Sequence, residues 1–333
     1  MLGIKRILLI RTDRIGELLL TTPAVRAMRQ TFPQARISIV VNPSSTDVVE
    51  GSPYVDSVIR FDVKDKNINF IDKLRFFMMI KKSDFDSVVI FNPSKLFNVL
   101  TFLAGIPIRV GYDRKLGFLL SHKIEDKKYL CEKHEVEYNL DLVELIGART
   151  DNKTPYLPLD NTAEEKIEDI VKVNAIKADD LLVAVHPATS NPDKMWPLDR
   201  YAQISDGLIN EFDVKIVLIG GKEEAKITNE VKAKMKNSVL DLTGTLSIKE
   251  LGLILRRCLF LISNDTGPVH ISAAVGTPTI VLFGEERPGG SSKRWGPYGE
   301  GHCVISKPKV TDITVEKVYE AARKKVIELC RKS

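Results

Sequence analysis

The sequence has few cysteines, and they do not group. Cys131, Cys258, Cys303 and Cys330 lie far apart and form no Cys-x-x-Cys unit, so neither a zinc site nor a disulfide framework is signalled, and a reducing cytoplasm is the expected setting. Long apolar runs are missing too. The first one carries or adjoins Lys5, Arg6, Arg11, Asp13 and Arg14, which spoils it as a signal peptide, and none approaches membrane-spanning length. Any membrane contact is therefore expected to be peripheral, at the cytoplasmic face of an inner membrane. One-sided charge is absent: 49 Lys and Arg face 44 Asp and Glu, a net charge of +5, interleaved along the chain. A basic stripe with interleaved aromatics is lacking, so a nucleic-acid-binding reading would rest on the pI of about 8.8 alone. No Gly-x-Gly-x-x-Gly fingerprint occurs, which removes support for a nicotinamide-dependent enzyme. There is no short repeat or low-complexity tract.

What is present suits an ordinary globular protein. With 333 residues, 44% of them hydrophobic, the chain can bury a sizeable core, and its length suggests two domains. Short β-branched runs at 6–10, 37–41, 58–61 and 87–91 alternate with amphipathic stretches, the pattern of a parallel sheet covered on both faces. From Asp151 to about Asp180 the apolar signal thins into a Pro-bearing segment and a charged helix over 163–173, where the linker is expected. A second alternation follows, with strands at 181–186, 215–219, 239–242, 259–263 and 279–283 and helices near 198–212, 223–235 and 248–257. The expected architecture is α/β, with two Rossmann-like halves over residues 1–160 and 161–333. A last helix over 315–330 is placed to brace them, with its packing partner open.

Open α/β sheets bind ligands at the carboxyl ends of their strands, so the loops that follow strands are the informative ones. The first runs Arg11-Thr12-Asp13-Arg14-Ile15-Gly16-Glu17, with Gly16 marking a turn and Thr21-Thr22-Pro23 further along the helix. Glu17 in a first helical turn gains ~0.3–1 kcal/mol from the helix dipole, which accounts for it without chemistry. The functional reading is a general base, worth about 10²–10⁴ in rate. Asp13 is the competing base, and its structural role would be an Asx cap or a pair with Arg11 or Arg14.

In the second half, His186-Pro187-Ala188-Thr189-Ser190 runs on to Lys194-Met195-Trp196-Pro197. Hydroxyls and an ammonium in one loop can hold a diphosphate, whereas Pro197 and Trp196 also suit a helix start and its packing. Gly220-Gly221-Lys222-Glu223-Glu224 is a tight turn whose Glu223 is placed to meet a ribose, or simply to open a helix. Ser263-Asn264-Asp265-Thr266-Gly267-Pro268-Val269-His270 puts a capped helix after a strand. Asp265 or Thr266 is the expected cap, and the free N–H groups behind it form an anion site. The cap does not account for His270, a satisfied partly buried imidazole or a donor to phosphate.

Taken together, these motifs, with Asp241-Leu242-Thr243-Gly244 ahead of the last one, resemble glycosyltransferase family 9 in order and spacing over nearly the whole chain. The resemblance implies the GT-B fold, two facing Rossmann-like domains with parallel sheets and an interdomain cleft, the first binding acceptor and the second a nucleotide-sugar donor. It implies inverting, metal-independent transfer of heptose from ADP-heptose to the lipopolysaccharide inner core, with no cofactor. On that resemblance Thr189, Ser190 and Lys194 contact the donor phosphates. Asp265, Thr266, Gly267 and His270 hold the nucleotide diphosphate and sugar, and Glu223 meets the ribose. The family usually places aspartate after the first-loop glycine as base; this chain has Glu17, one methylene longer, with Asp13 next in line. On the acceptor side Arg114 and Lys115 are candidates for phosphorylated or acidic sugars, against a default of solvated surface charge.

Two other readings carry their own signatures. Asp84-Phe85-Asp86 matches a metal-binding Asp-x-Asp, but it precedes a strand, the wrong end for a ligand, and is expected to be a solvated turn. A fold that had lost turnover, or that used a different nucleotide sugar, would show in nucleotide binding.

Overall fold

The structure is a computed structural model that describes residues 3–63, 69–285 and 290–331. The chain divides into two compact units, Met1–Pro158 and Leu159–Ser333.

Unit 1 begins β1 (Arg6–Arg11), α1 (Ile15–Leu19), α2 (Thr22–Thr31) and β2 (Arg36–Val41), and continues β3 (Ser57–Arg60), α3 (Phe70–Lys82), β4 (Ser87–Ile90) and α4 (Lys95–Leu103). It closes with β5 (Ile108–Tyr112), β6 (His122–Ile124) and α5 (Glu135–Glu144). The strands form a parallel sheet in the order β3-β2-β1-β4-β5-β6. Its central strands read as unbroken apolar runs because both faces are covered: Ser87–Ile90 is buried at every position. On one face Phe76 and Ile80 of α3 and Phe97 of α4 pack with Leu8, Ile10, Val88 and Ile90. On the α2 side, Arg26 reaches across to the Asn152 and Thr154 carbonyls at 2.8 and 3.0 Å, and α2 packs on α5.

Unit 2 holds α6 (Asn161–Val173), β7 (Leu182–His186), α7 (Leu198–Phe212), β8 (Lys215–Leu218), α8 (Ala225–Lys234), β9 (Leu240–Asp241) and α9 (Ile248–Arg257). It ends with β10 (Cys258–Asn264), α10 (Gly267–Ala274), β11 (Thr279–Gly284), α11 (Ser292–Trp295), β12 (Cys303–Lys307) and α12 (Val315–Cys330). Its parallel sheet runs β12-β11-β10-β7-β8-β9. Read from the other edge, that is the winding of unit 1: the first and fourth strands of each unit are neighbours, and the chain winds outward from them in both directions.

The structure corrects three of the expectations, those for the charged helix, Gly16 and the helix through Pro23, and settles the packing partner of the last helix. The charged helix assigned to the linker is α6, which belongs to unit 2: Ala163 and Ile167 are buried, α6 packs on α9, and Lys166 bonds Glu250 at 2.9 Å. The terminal helix α12 packs on α7 within unit 2, where the Tyr319 hydroxyl donates to Glu211 at 2.6 Å and lies 3.1 Å from the Gly207 carbonyl. A Cβ on Gly207 would come within 2.7 Å of the Tyr319 ring, so the approach of these helices requires glycine there. Gly16 is not a turn but lies inside α1. The helix predicted to run through Pro23 instead breaks after Leu19 and restarts at Thr22, with Pro23 in the first turn, where its missing N–H costs nothing.

Candidate functional site

In each unit the chemistry-bearing loops gather where the first and fourth strands part, the switch point at which open α/β sheets form a crevice. In unit 1 this is the boundary between β1 and β4. Asp13, after β1, accepts a hydrogen bond at 2.8 Å from the Asn92 amide, after β4, so one contact spans the switch. Its other oxygen pairs with Arg11 Nε at 3.1 Å. Arg11 is buried, and its far nitrogens reach Glu135 at 3.3 Å and Asn139 at 3.2 Å. Glu135 also takes Lys128 Nζ at 2.8 Å. Burial alone would lower the Arg11 pKa, but Asp13, Glu135 and Glu17 together raise it, so the guanidinium is a fixed cation. Glu17 is half-buried in the first turn of α1, near enough to act on Arg11. The base candidates thus differ: Asp13 is tied on both oxygens, and Glu17 stands at a helix start.

Arg114 and Lys115 lie after β5, both exposed. Arg114 pairs with Asp126 at 3.0 Å, and Lys115 has a left-handed backbone with φ 49°. The two are held by Asn98, whose amide donates to both carbonyls, at 3.4 and 3.0 Å.

In unit 2 the switch lies between β7 and β10, and five contacts cross it. Lys194, from the loop after β7, forms an ion pair with Asp265, after β10. His186, the last residue of β7, places Nδ1 at 3.1 Å from the Thr266 hydroxyl and 3.3 Å from that of Ser263. The Trp196 amide donates to Asn264 at 3.1 Å, and Asn264 returns a bond to the Pro187 carbonyl at 2.8 Å. Trp196 is fully buried, its indole N–H on the Ile313 carbonyl at 2.8 Å, so it packs the loop from beneath. Thr266 is the N-cap of α10, yet its side chain makes no cap bond because His186 and Ser263 hold it. Of the first-turn amides of α10, Pro268 has no N–H and Val269 donates to the Thr266 carbonyl at 3.2 Å, so the Gly267 amide at the helix start is the donor left to favour an anion. Gly267 opens that turn, and His270, on the same helix, is buried.

Thr189 accepts the Asn191 amide at 3.3 Å, and Ser190 is exposed. Glu223 is exposed as well, whereas its neighbour Glu224 folds back into the site. Glu224 takes the Gly221 amide at 2.7 Å and lies 3.1 Å from His186 Nε2. Burial pushes the Glu224 pKa up, but the bonds from His186 and Gly221 outweigh it and hold the carboxyl below its ordinary value. Behind this turn Gly244 has φ +71°, and a Cβ there would meet the Lys222 backbone at 3.1 Å, so the loop after β9 accepts only glycine.

The sequence reading did not single out Asn92, Glu135, His186 or Glu224 as site residues. His186 and Asn92 carry a usable signal, since both sit at the carboxyl end of a strand. Glu135 carries none, because 124 residues separate it from Arg11. The Asp-x-Asp triplet is not a plain solvated turn: Asp84 is exposed, but Asp86 accepts the Lys5 and Arg6 amides at 2.7 and 2.8 Å, tying down the start of β1. No group of three or more metal-ligating side chains occurs among the described residues.

The family model for "Glycosyltransferase family 9 (heptosyltransferase)" matches residues 73–323. The chain belongs to glycosyltransferase family 9. It is accordingly a glycosyl-transferring enzyme, and its two parallel six-stranded sheets are those of the GT-B fold class. A Haemophilus influenzae protein whose description goes no further than glycosyltransferase is 27% identical over 308 residues, covering 89% of this chain and 87% of its own. Among solved structures, a family 9 glycosyltransferase from Veillonella parvula superimposes with a TM-score of 0.88 at 22% identity, covering 98% of this chain and 99% of that one. The Escherichia coli ADP-heptose lipopolysaccharide heptosyltransferase II gives 0.79 at 20% identity, covering 97% and 99%.

Proposed function

We propose that this family 9 enzyme transfers heptose from ADP-heptose to the lipopolysaccharide inner core, inverting the anomeric centre without a metal ion. The observation that carries the donor half is the pairing of Lys194 with the start of α10 at one switch point. A fixed ammonium beside the undonated Gly267 amide at a helix start is what a departing diphosphate needs, since charge-assisted bonds contribute ~1.5–3 kcal/mol each. Unit 2 is then the donor domain and unit 1 the acceptor domain. The E. coli relative's named donor supports the choice of ADP-heptose.

In this reading Lys194, Thr189 and Ser190 take the phosphates, and Asp265 holds Lys194 until the donor arrives. Thr266, Gly267 and His270 line the diphosphate and sugar, and Glu223 meets the ribose from the exposed side of its turn. Transfer is a single in-line displacement. Glu17 removes the proton from the acceptor hydroxyl as the sugar–phosphate bond breaks, and Lys194 with the Gly267 amide at the start of α10 stabilises the leaving ADP. Asp13, held by Arg11 and Asn92, orients the loop. Arg114 and Lys115 meet acidic groups of the acceptor.

Calorimetric titration with ADP, UDP and GDP, with and without magnesium, tests the donor assignment. Selective, metal-independent ADP binding followed by turnover of ADP-heptose on a truncated lipopolysaccharide core is the expected result. Preference for UDP or GDP would replace the donor, and absence of nucleotide binding would remove the catalytic reading.

A further inference from the structure

Helix α3 is apolar on two opposite faces. Phe76 and Ile80 point into the core of unit 1, but Phe70, Ile71, Leu74 and Met78 are 78%, 56%, 45% and 43% exposed. At about 100° per residue these four occupy one arc roughly 100° wide, on the side of the helix away from Phe76 and Ile80. The arc is bordered by cations. Lys73 lies on one side, Arg75 and Lys82 on the other, with Lys81 at its carboxyl end, and all four are exposed. Asp72, the sole acid of α3, is spent in the capping box with Asn69. The neighbouring α4, which packs against α3, has no acidic residue and exposes Phe102 and Leu103.

We propose that α3 is a docking helix that lies along the surface of an anionic lipid bilayer. The geometry fits an interfacial helix, with a narrow apolar arc entering the acyl boundary while flanking Lys and Arg reach phosphate headgroups. Charge argues for lipid over a protein partner: Lys73, Arg75, Lys81, Lys82 and Lys95 face only Asp72 on the two helices, which suits a uniformly negative surface. No helix among the described residues is long and apolar enough to cross a membrane, so the contact is with the interface. This inference stands on α3 and α4 and not on the choice of donor or acceptor.

Sedimentation of the full chain with vesicles tests it, using phosphatidylglycerol mixed with phosphatidylethanolamine, and phosphatidylcholine alone. The wild type should pellet with the anionic vesicles and not with the neutral ones. Ile71→Glu with Leu74→Glu should cut partitioning at least ~tenfold, and Lys81→Glu with Lys82→Glu, which leaves the apolar arc intact, should also weaken it. Both variants should melt with the wild type and transfer sugar to a water-soluble acceptor at the wild-type rate. A wild type that stays in the supernatant, equal binding to neutral vesicles, or variants that pellet unchanged would each overturn the proposal. So would a dimer that the first variant splits while vesicle binding persists, since α3 would then cover a second copy.

Discussion

Glu135→Gln probes how the loop carrying Asp13 and Glu17 is held. The Glu135 side chain is 1% exposed, and a single oxygen takes two Arg11 nitrogens at 3.3 Å and Lys128 at 2.8 Å. Glutamine keeps the volume and one acceptor oxygen, so no cavity opens. What disappears is the negative charge facing two buried cations. Removing one side of such a pair costs about 3–5 kcal/mol, because the partner is left uncompensated in a poorly solvating interior. Asp13 at 3.1 Å and Asn139 at 3.2 Å still hold Arg11, which places the expectation near ~3 kcal/mol. With each kcal/mol moving the melting temperature of a domain this size by roughly 2–4 °C, unit 1 should unfold about 6–12 °C earlier. Urea titration followed by circular dichroism, with scanning calorimetry, measures both. Adding Lys128→Met removes one of the stranded cations and should recover part of the loss, giving a coupling term in the double-mutant cycle. A Glu135→Gln protein within ~1 kcal/mol of wild type would refute the reasoning, since the loop would then be held by packing and not by this charge cluster.

Glu17→Gln should lower kcat by about 10²–10⁴ with little change in KM, read in a coupled ADP-release assay; turnover within a few-fold of wild type would pass the base role to Asp13. Lys194→Ala should weaken ADP binding by roughly 10- to 100-fold in calorimetry while leaving the fold intact, and unchanged affinity would remove Lys194 from the donor site. Trp196→Phe deletes the bond to the Ile313 carbonyl, which Arg200 also donates to at 2.7 Å; the carbonyl stays satisfied, so about 1–2 kcal/mol should be lost in urea unfolding, mostly from the smaller ring. Burial, aided by the Lys325 charge and opposed by a backbone bond at Tyr298, holds the His302 pKa down at about 4 against 6.5. The unfolded chain therefore binds this proton first, and stability falls as pH drops from 6.5 towards 4, by up to ~1.4 kcal/mol per pH unit. His302→Gln should flatten that part of the stability profile, and an unaltered slope would contradict the assignment.

The elements that set the fold were largely readable, because both sheets are covered on both faces and their central strands are continuous β-branched runs. Helices α7, α9 and α12 have the boundaries that apolar periodicity indicates. Strands β5, β6 and β12 escaped that reading for a physical reason. They lie toward the edges of their sheets, where partial exposure admits residues such as Arg109, His122 and Lys123 and dilutes the apolar signal. At the site, motif spacing located the loops after β1, β7 and β10. It did not reveal that Lys194 and Asp265 pair with each other, nor that Glu224 and not Glu223 turns inward. Those facts depend on which strands become neighbours, and on the room Gly220 and Gly221 leave for a returning carboxylate.

The repeated winding of the two units has a consequence for how such a chain can change over generations. Each unit keeps its polar bridge between its own first and fourth strands, and the described contacts of each bridge stay within that unit. A mutation that retunes the loop after β7 therefore leaves the described bridge of the loop after β1 as it is. On the proposed assignment of donor to unit 2 and acceptor to unit 1, specificity for the two substrates would drift on separate schedules, and hybrids joined near Pro158 and Leu159 would recombine one parent's nucleotide preference with another's acceptor.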